Sequence, residues 1–399
     1  MPLGRPFHVL WGANASSNLA DGLAFVSMPL LAASLTSDPR LVAGLATVYS
    51  LVRLLVVLPI GVWIDRHDRR TLLAAANLLR GAVVIALAVC VQLDAGGLLL
   101  LYVAFAIIGT LESAADNSVF ALVPALVADH DLDRANGRIS SAQLIADEFV
   151  GPPLGGLLFA TAAAAPIFVM GELWGVAGLL VLALPIRRRQ SATNPGQAAP
   201  FSVLREAAAG ARWLAGDRVI GGLAWIGALA SVGYMLPFSI LVLFAEDRLS
   251  VDSVGYGFIL ASSAIGGLVG SAITARVRIR IGYRKTISAS LFTGAASLFA
   301  LSAATNGVFA AILLSLYILH AVVWGICATS LRQRLVPDEF RGRVNAASRV
   351  LGLLGLALGS ALGGLFGTVN LWLPILAGGT VFLGCAALAL FLVPKIDKI

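Results

Sequence analysis

The chain has 399 residues, of which 59% are hydrophobic and only 12% are charged, and its mean hydropathy is +0.91. Soluble proteins carry about 25% charged residues, and so large an excess of apolar side chains cannot be hidden in a soluble core. The composition therefore excludes a soluble globular protein and predicts a polytopic membrane protein. The net charge of +7 would also suit a nucleic-acid partner, so the positions of the basic residues must decide between the two.

Apolar stretches follow one another along the chain, and most are long enough to cross a hydrocarbon layer of about 30 Å as helices. They predict twelve spans, near residues 7–34, 41–63, 72–93, 97–120, 138–162, 166–186, 218–245, 254–275, 286–304, 306–330, 343–367 and 370–393. We expect an all-α membrane protein with twelve transmembrane helices in two pseudo-symmetric six-helix halves. The predicted domains are the N-terminal half, a cytoplasmic linker with an amphipathic helix, and the C-terminal half, at residues 1–186, 187–217 and 218–399.

The basic residues outside the spans lie mainly in the loops on one side of the predicted helices. Only Arg40 and Arg248 fall into loops on the other side. Because cytoplasmic loops carry the excess of Lys and Arg, both termini are predicted to be cytoplasmic. The net positive charge is thus a topology signal, and no nucleic-acid partner is expected.

Span one carries four polar residues on one helical face, at relative positions 0, 3, 4 and 7. They are Asn14, Ser17, Asn18 and Asp21. Such a face must contact protein or water and not lipid. Asp21 lies halfway along the span, where an ionisable group is a functional candidate for substrate or proton binding. A structural hydrogen-bonding role is the alternative, and Asn14 and Asn18 are candidates to line the cavity.

Span four carries Glu112 and Asp116 four residues apart and therefore on one face. Two carboxylates this close repel each other, so one of them is expected to hold a proton. Arg53 in span two and Arg80 in span three are the expected counter-charges for the buried acids. The acids are candidates for proton coupling, while the arginines could equally hold helices together as structural ion pairs.

Span five contains the stretch IADEFVGPPLGGLL, which begins at Ile145. Asp147 stands four residues before Gly151 and eight before Gly155, which places the acid on the face of the small residues. Small residues let helices approach closely, and prolines bend a span, so this helix is predicted to take part in gating. Asp147 is a third candidate proton carrier, whereas Glu148 points away and is expected to be hydrated or paired.

The second half has one titratable group near mid-span, His320, with Trp324 one helical turn away. Span seven offers Tyr234 and Phe238. Together these residues could form the aromatic side of a small-molecule cavity. Aromatic residues at helical spacing could also be simple packing residues.

The chain has no phosphate-binding G-x-x-x-x-G-K-[ST] loop and only three lysines, so a nucleotide-driven motor is not expected. No cluster of cysteine and histidine, or of histidine and carboxylate residues, has the spacing of a metal-binding site. We therefore expect no cofactor, no metal and no enzymatic activity. An ion gradient or the gradient of the substrate must supply the energy, and the mid-depth acids make protons the first candidate.

Three sequence motifs and an internal repeat carry a family resemblance. GVWIDRHDRRTLL follows span two, GPPLGG lies in span five, and LVPDEFRGRVNA precedes span eleven. The segment LVPALVADHDLDRANGRISS before GPPLGG has a counterpart in LVPDEFRGRVNAASR before GSALGG. Such paired halves are typical of a duplicated transporter with a site between the halves.

These motifs resemble those of the major facilitator superfamily, in its multidrug, macrolide and siderophore exporter branch. The resemblance assigns a cytoplasmic gate motif to Gly61, Asp65, Arg66, Arg69 and Arg70, and an export motif to Gly151, Pro152, Gly155 and Gly156. It implies that Asp65, Arg69 and Arg70 latch the two halves together. Two positions depart from the family pattern: Asp68 replaces a usual glycine, and Phe105 stands where antiporters often carry an arginine.

The resemblance implies a monomeric transporter of the bacterial cytoplasmic membrane that exports small amphipathic molecules by proton antiport. Its partners would be the small-molecule substrate, protons and the lipid bilayer. Two alternatives stay open at this point. The protein could be a metabolite uniporter or importer, or a non-transporting sensor or lipid-handling protein on the same fold.

Overall fold

The first part of the chain forms a series of long helices. The structure is a computed structural model that describes residues 3–66, 68–184 and 209–393, without the side chains of 57–66, 116–117 and 120–121. In order, the helices are α1 (Gly4–Leu35), α2 (Pro39–Arg66), α3 (Arg69–Gln92), α4 (Leu98–Leu126), a 3-10 turn (Asp129–Asp131), α5 (Leu132–Gln143), a π-helical segment (Leu144–Val150), α6 (Gly151–Thr161) and α7 (Ala165–Leu182).

The second part repeats this all-helical construction. Residues 209–216 are helical and precede α8 (Arg218–Phe238), α9 (Leu241–Asp247), α10 (Ser253–Ser302), α11 (Gly307–Leu335), α12 (Asp338–Gly367) and α13 (Leu373–Leu392). Polar N-caps begin several of these helices. The Asp217 carboxylate accepts hydrogen bonds from the backbone N–H groups of Val219 and Ile220, at 2.9 and 2.8 Å. The predicted all-α membrane fold is confirmed, and no strand occurs in the described ranges.

Within the described residues, ten helices are long and apolar enough to cross a membrane. Two features account for the difference from the twelve predicted spans. The predicted eighth and ninth spans both lie in α10, whose backbone breaks at Gly282, with φ 78° and ψ 167°. The predicted fifth span is divided into α5, the π-helical segment and α6. The count of twelve therefore stays a prediction.

Contacts divide the chain into two units. The first contains residues 1–35 and 55–203, and the second contains residues 36–54 and 204–399. The start of α2 thus groups with the second unit, although the sequence assigned residues 1–186 to the N-terminal half. The predicted domain boundaries stay a prediction, because the predicted linker, residues 187–217, lies mostly outside the described residues.

The two units repeat the same packing pattern. In the first unit α1 packs against α6 and α7, and α3 packs against α4 and α7. In the second unit α8 packs against α12 and α13, and α10 packs against α11 and α13. This correspondence is what a duplicated six-helix half produces, and it extends the sequence repeat from two short motifs to whole helices.

Candidate functional site

The polar face of α1 lies against α3 inside the first unit. Ser17 donates a hydrogen bond to the Asn77 side-chain oxygen at 3.2 Å, and Asn18 donates to the Asn14 carbonyl at 2.7 Å. Asn14, Ser17 and Asn18 are each more than nine-tenths buried. The polar stripe of α1 therefore faces the interior of the first unit, as the sequence predicted.

Arg80 of α3 joins the acids of two other helices. One guanidinium nitrogen, Nη2, pairs with the Asp21 carboxylate of α1 and lies 3.7 Å from the Glu112 carboxylate of α4. Arg80 also donates a hydrogen bond from Nη1 to the Ser17 hydroxyl, at 3.5 Å. The Arg80 side chain is 1% exposed, while those of Asp21 and Glu112 are 21% and 17% exposed. Arg80, expected from sequence as a counter-charge, thus forms one group with two of the candidate acids, which we call the Asp21–Arg80–Glu112 group.

Trp174 of α7 completes the surroundings of Arg80. The guanidinium carbon lies 4.1 Å from the centre of the Trp174 ring, well within the range of a cation–π interaction. Trp174 is fully buried, and its indole N–H has no hydrogen-bond partner in the structure. Its contribution at this site is therefore the π-face of the ring, which stabilises a buried cation without neutralising it.

A cavity opens beside this group between α1, α3, α4 and α7. Its polar wall consists of Asn14, Ser17, Asn18, Asp21 and Asn77, and its apolar wall of Ala13, Leu73, Ala115, Val119 and Val181. The Asn14 side-chain nitrogen is buried without a hydrogen-bond partner. A buried amide in this state is costly unless a water molecule or ligand meets it. The cavity has room for about one water molecule, next to the Asp21 carboxylate.

The export motif lies against α1 through glycines. A Cβ atom on Gly22 would lie 2.6 Å from the Asp147 carbonyl oxygen, and one on Gly151 would lie 2.6 Å from the Gly22 backbone. A Cβ on Gly155 would lie 3.1 Å from the Ser27 hydroxyl. The approaches at Gly22 and Gly151 are too close for any other residue, and the contact at Gly155 is tight. The backbone of Asp147 thus contacts the residue that follows Asp21 in α1.

The chain around Asp147 is π-helical, since the Gly151 N–H bonds to the Ala146 carbonyl, five residues back. Pro152 and Pro153 follow at the start of α6 and have no N–H to donate to the preceding turn. The widened turn thus lies directly before two positions that cannot donate a helical hydrogen bond. The sequence predicted a bend at these prolines, and the structure has a π-helical turn, a feature frequent at functional sites.

The gate motif is described only in part. Only the backbone of Gly61, Asp65 and Arg66 is described, and the side chain of Asp116 also lies outside the described part. Asp68, which replaces the usual glycine, caps α3 by accepting hydrogen bonds from the Arg70 N–H and the Thr71 hydroxyl, at 3.1 and 3.0 Å. Arg70 donates to the carbonyls of Val181 and Leu182 at the end of α7 in the same unit. The latch involving Asp65, Arg69 and Arg70 stays a prediction.

The second unit contains a cluster of five rings. Tyr234 and Phe238 stack with centroids 4.5 Å apart, and both stack on Tyr317. His320 and Phe382 complete the cluster, with their ring centroids 4.8 Å apart. Tyr317 and His320 are almost fully buried, and the Tyr317 hydroxyl has no hydrogen-bond partner.

The structure brings some predicted site residues together and leaves others apart. Tyr234, Phe238 and His320 meet in the ring cluster. The Trp324 ring instead faces Gly227 of α8, where a Cβ atom on that glycine would lie 4.0 Å from it. Arg53, expected as a counter-charge, donates to the Tyr49 hydroxyl at 2.9 Å.

Four participants were missed from sequence: Asn77, Trp174, Tyr317 and Phe382. Spacing could have indicated two of them, because Asn77 precedes Arg80 and Tyr317 precedes His320 by three residues.

Two alike helical units, with a buried guanidinium and two acids inside one of them, define a polytopic membrane transport protein. The profile of the Major Facilitator Superfamily matches residues 10–327. The chain belongs to this superfamily.

The chain is also similar to curated relatives in sequence and to solved structures in fold. The chain is similar to the "Enterobactin exporter EntS" of Escherichia coli O1:K1 / APEC, with 24% identity over 362 residues, which are 90% of this chain and 85% of the exporter. Its fold is similar to that of a bacterial homologue of the iron transporter ferroportin, with a TM-score of 0.71, 19% identity and coverage of 97% and 100%. A bacterial homologue of the lysosomal transporter Spinster aligns with a TM-score of 0.77 and 11% identity over 98% and 97% of the two chains.

Proposed function

We propose that this protein exports small amphipathic molecules, such as drugs or siderophores, across the bacterial cytoplasmic membrane in exchange for protons. The observation that carries the proposal is the Asp21–Arg80–Glu112 group. It holds the charges expected of a coupling site within a membrane-spanning unit, next to a small cavity with a polar wall.

Charge balance supports proton coupling. One guanidinium faces two carboxylates, so the group carries one net negative charge when both acids are ionised. Uncompensated charge in the membrane interior costs several kcal/mol. One proton on either acid makes the group neutral, and Asp21 and Glu112 are both exposed enough to receive it. Proton uptake would thus weaken the attraction that holds α1 and α4 to Arg80.

Protonation of Asp21 would act on the rest of the first unit through α1. Asp21 is bonded to Gly22, whose backbone contacts the π-helical segment at Asp147. A small movement of α1 on protonation would therefore press directly on the export-motif helix. Two packed arrangements of this contact would serve as the alternating states of the first unit.

Export is the direction that we favour. GPPLGG resembles the motif of exporting antiporters, and the similar Escherichia coli protein is named an enterobactin exporter. Substrate is expected to leave the cytoplasmic side as a proton enters from the other side. Import of a metabolite is the main alternative.

The test is transport in proteoliposomes with an imposed pH gradient, using a panel of dyes, antibiotics and siderophores. We expect the wild-type protein to move at least one compound against its gradient and to move protons in the opposite direction. Asp21→Asn and Glu112→Gln should abolish the exchange, and Asp147→Asn should reduce it.

Asp94→Asn is the matched control, because Asp94 is an exposed acid in the loop after α3. Its φ of 53° is a conformation that asparagine tolerates well. Unaltered exchange in all three site variants would refute the coupling assignment. Substrate movement only down its own concentration gradient would indicate a uniporter. Substrate accumulation inside right-side-out vesicles would indicate an importer.

A further inference from the structure

Glu148 is a further acid at mid-depth in the first unit, one residue beyond Asp147. The helical segments α5, the π-helical turn and α6 run without a gap from residue 132 to residue 161, and Glu148 lies near the centre of that run. The packing of α1 agrees, because Gly22 lies near the middle of α1 and a Cβ atom on it would lie 2.6 Å from the Asp147 carbonyl oxygen. The short side chain of Glu148 is therefore too deep to reach either membrane surface.

The Glu148 side chain lies on the exposed side of its helix. Ala146, two residues earlier and on roughly the opposite side, is buried, whereas Glu148 is exposed. Ile145, about one turn before Glu148, is 56% exposed. The exposed side of this segment thus presents a carboxylate beside an apolar side chain.

The sequence allowed two expectations for Glu148, hydration or pairing with a neighbour. In the ranges that the structure describes, the Glu148 carboxylate takes part in no ion pair and no hydrogen bond. Lipid hydrocarbon cannot surround it either, because an ionised side chain at this depth costs several kcal/mol. Water therefore reaches this side of the helix, and any counter-charge for Glu148 comes from outside the chain, as a proton or as the cationic group of a ligand.

The charges of the first unit favour a cation over an anion. The Asp21–Arg80–Glu112 group has one guanidinium for two carboxylates. Arg80 is also the one basic residue in the described middle turns of α1, α3, α4, α6 and α7. An anionic ligand would therefore meet net negative charge in this unit. An amphipathic cation offers a charge to Glu148 and apolar surface to Ile145 together, which a proton does not.

We propose that Glu148 binds the cationic group of the transported molecule, while the apolar body of that molecule lies against Ile145. The inference rests on the proposed export function and narrows its substrate class to amphipathic cations. Glu148 is then a substrate-binding residue, separate from the Asp21–Arg80–Glu112 group to which the proton is assigned. Because Glu148 adjoins Asp147, a bound cation would lie next to the contact between α1 and the export-motif helix.

The test compares two probes of the same shape and opposite charge, tetraphenylphosphonium and tetraphenylborate. Their binding to the purified full-length protein in detergent is measured by equilibrium dialysis, with protein-free micelles subtracted. We expect the wild-type protein to bind the phosphonium more tightly, and Glu148→Gln to weaken that binding at least about tenfold without weakening borate binding. Glu148→Asp keeps the charge and should retain most of the preference.

Glu172→Gln is the matched control for this experiment. Glu172 is an exposed acid of α7 in the same unit, and its carboxylate likewise makes no ion pair or hydrogen bond with the described residues. It lies nearer to the end of its predicted span than Glu148, and its substitution should leave the binding of both probes unchanged.

A measurement on the wild-type protein keeps the test decisive if Glu148→Gln does not fold. Tetraphenylphosphonium should protect Glu148 from modification by a carbodiimide, as read by peptide mass spectrometry, and tetraphenylborate should not. Equal protection by the two probes, or no protection by either, would overturn the proposal.

Three outcomes of the binding experiment would also overturn it. Equal affinity of the wild-type protein for the two probes would show that no cation site exists. An equal loss in Glu172→Gln would show a diffuse negative potential instead of a site. Unchanged phosphonium binding in Glu148→Gln, together with reduced proton movement in proteoliposomes, would make Glu148 a proton carrier only.

Binding needs no pH gradient, so this inference and the proposed export function can fail separately. Phosphonium binding through Glu148 without any proton-driven exchange would count against the exporter and not against the site. Proton-driven exchange of neutral or anionic compounds alone would leave the exporter standing and refute the cation site.

Discussion

Arg80 is almost fully buried, and a guanidinium cannot lose its charge under any physiological condition. It is stabilised by the Asp21 and Glu112 carboxylates and by the π-face of Trp174. Three helices besides its own thus contribute to the environment of one side chain. This arrangement makes Arg80 a sensitive position for stability as well as for transport.

Replacing Arg80 by glutamine should destabilise the protein, because the two acids are then left facing each other without a cation. Breaking a fully buried ion pair costs about 3–5 kcal/mol, and the partial exposure of Asp21 and Glu112 makes a smaller value the expectation here. Scanning fluorimetry of the purified protein in detergent measures the loss as a lower unfolding temperature. An unchanged unfolding temperature would contradict the description of Arg80 as a buried charge.

Arg40→Gln is the control for that experiment. Arg40 pairs with Asp38 at 2.7 Å, with 60% of the arginine side chain exposed. The hydrogen bonds from Arg40 lower the pKa of the Asp38 carboxyl. Any stabilisation from this pair is therefore present at neutral pH and is lost as the pH falls through the lowered pKa. We expect no measurable shift of the unfolding temperature at neutral pH, because exposed pairs contribute little.

Trp174 allows the cation–π contribution to be measured. Trp174→Phe keeps a ring face over Arg80 and removes only an indole N–H without a partner, whereas Trp174→Leu removes the ring. The leucine variant should be less stable than the phenylalanine variant by about 0.5–2 kcal/mol, beyond the effect of size alone. The same two substitutions at Trp324, which has no ring contact with a described guanidinium, give the effect of size. Equal differences at both positions would argue against the cation–π interaction.

The site residues divide into those that the sequence could indicate and those that it could not. Asp21, Arg80 and Glu112 were predictable, because a charge in an apolar span is rare and costly. Trp174 was not predictable, because aromatic residues are common in membrane helices and the sequence does not show that Arg80 lies over this ring. The pairing of Arg80 with both acids also required the structure, since sequence spacing does not show which face of α3 meets α1 and α4.

At the scale of elements, the contact of α1 with the export-motif helix depends on two glycines. Gly22 and Gly151 bring the two backbones so close that a methyl group on either would overlap the other helix. The π-helical segment lies at the same contact. A close contact beside an irregular turn is suited to switching between discrete packing arrangements.

Gly22→Ala should destabilise this contact, because its Cβ would lie 2.6 Å from the Asp147 carbonyl oxygen and 2.9 Å from that of Ala146. Overpacking of this kind costs about 1–3 kcal/mol. Gly12→Ala is the matched control on the same helix, since no atom lies within 4 Å of its added Cβ. Alanine at position 12 should be neutral or slightly stabilising, given its better helix propensity. Unfolding temperatures measured side by side decide this, and equal effects would refute the close approach.

The widened turn itself was only partly predictable. GPPLGG indicates an interrupted helix, because prolines remove N–H donors and glycines permit close packing. Whether the helix kinks, ends or forms a π-helical turn depends on which groups donate hydrogen bonds to the freed carbonyls and on what packs against them. At Asp147 the neighbour is Gly22 of α1, which is distant from it in sequence.

For the whole molecule, the distribution of basic residues predicts that both termini are cytoplasmic. Cysteine labelling tests this prediction in a variant without Cys90, Cys327 and Cys385. A membrane-impermeant maleimide should label Ser37→Cys, in the exposed loop after α1, in intact cells. It should label Asn136→Cys of α5 only after the cells are made permeable. The reverse pattern would invert the orientation.

By itself, the sequence determined that this protein is a helical membrane protein with a duplicated architecture and a few acids within its apolar spans. Hydrophobic length, charge placement and repeated motifs are local properties, and local properties are enough for those conclusions. The tertiary structure decided which buried charges belong together, because that depends on how helices distant in sequence pack. Arg80 reaches Asp21 and Glu112 only because α3 and α4 pack together and both contact α1 or its neighbour α7.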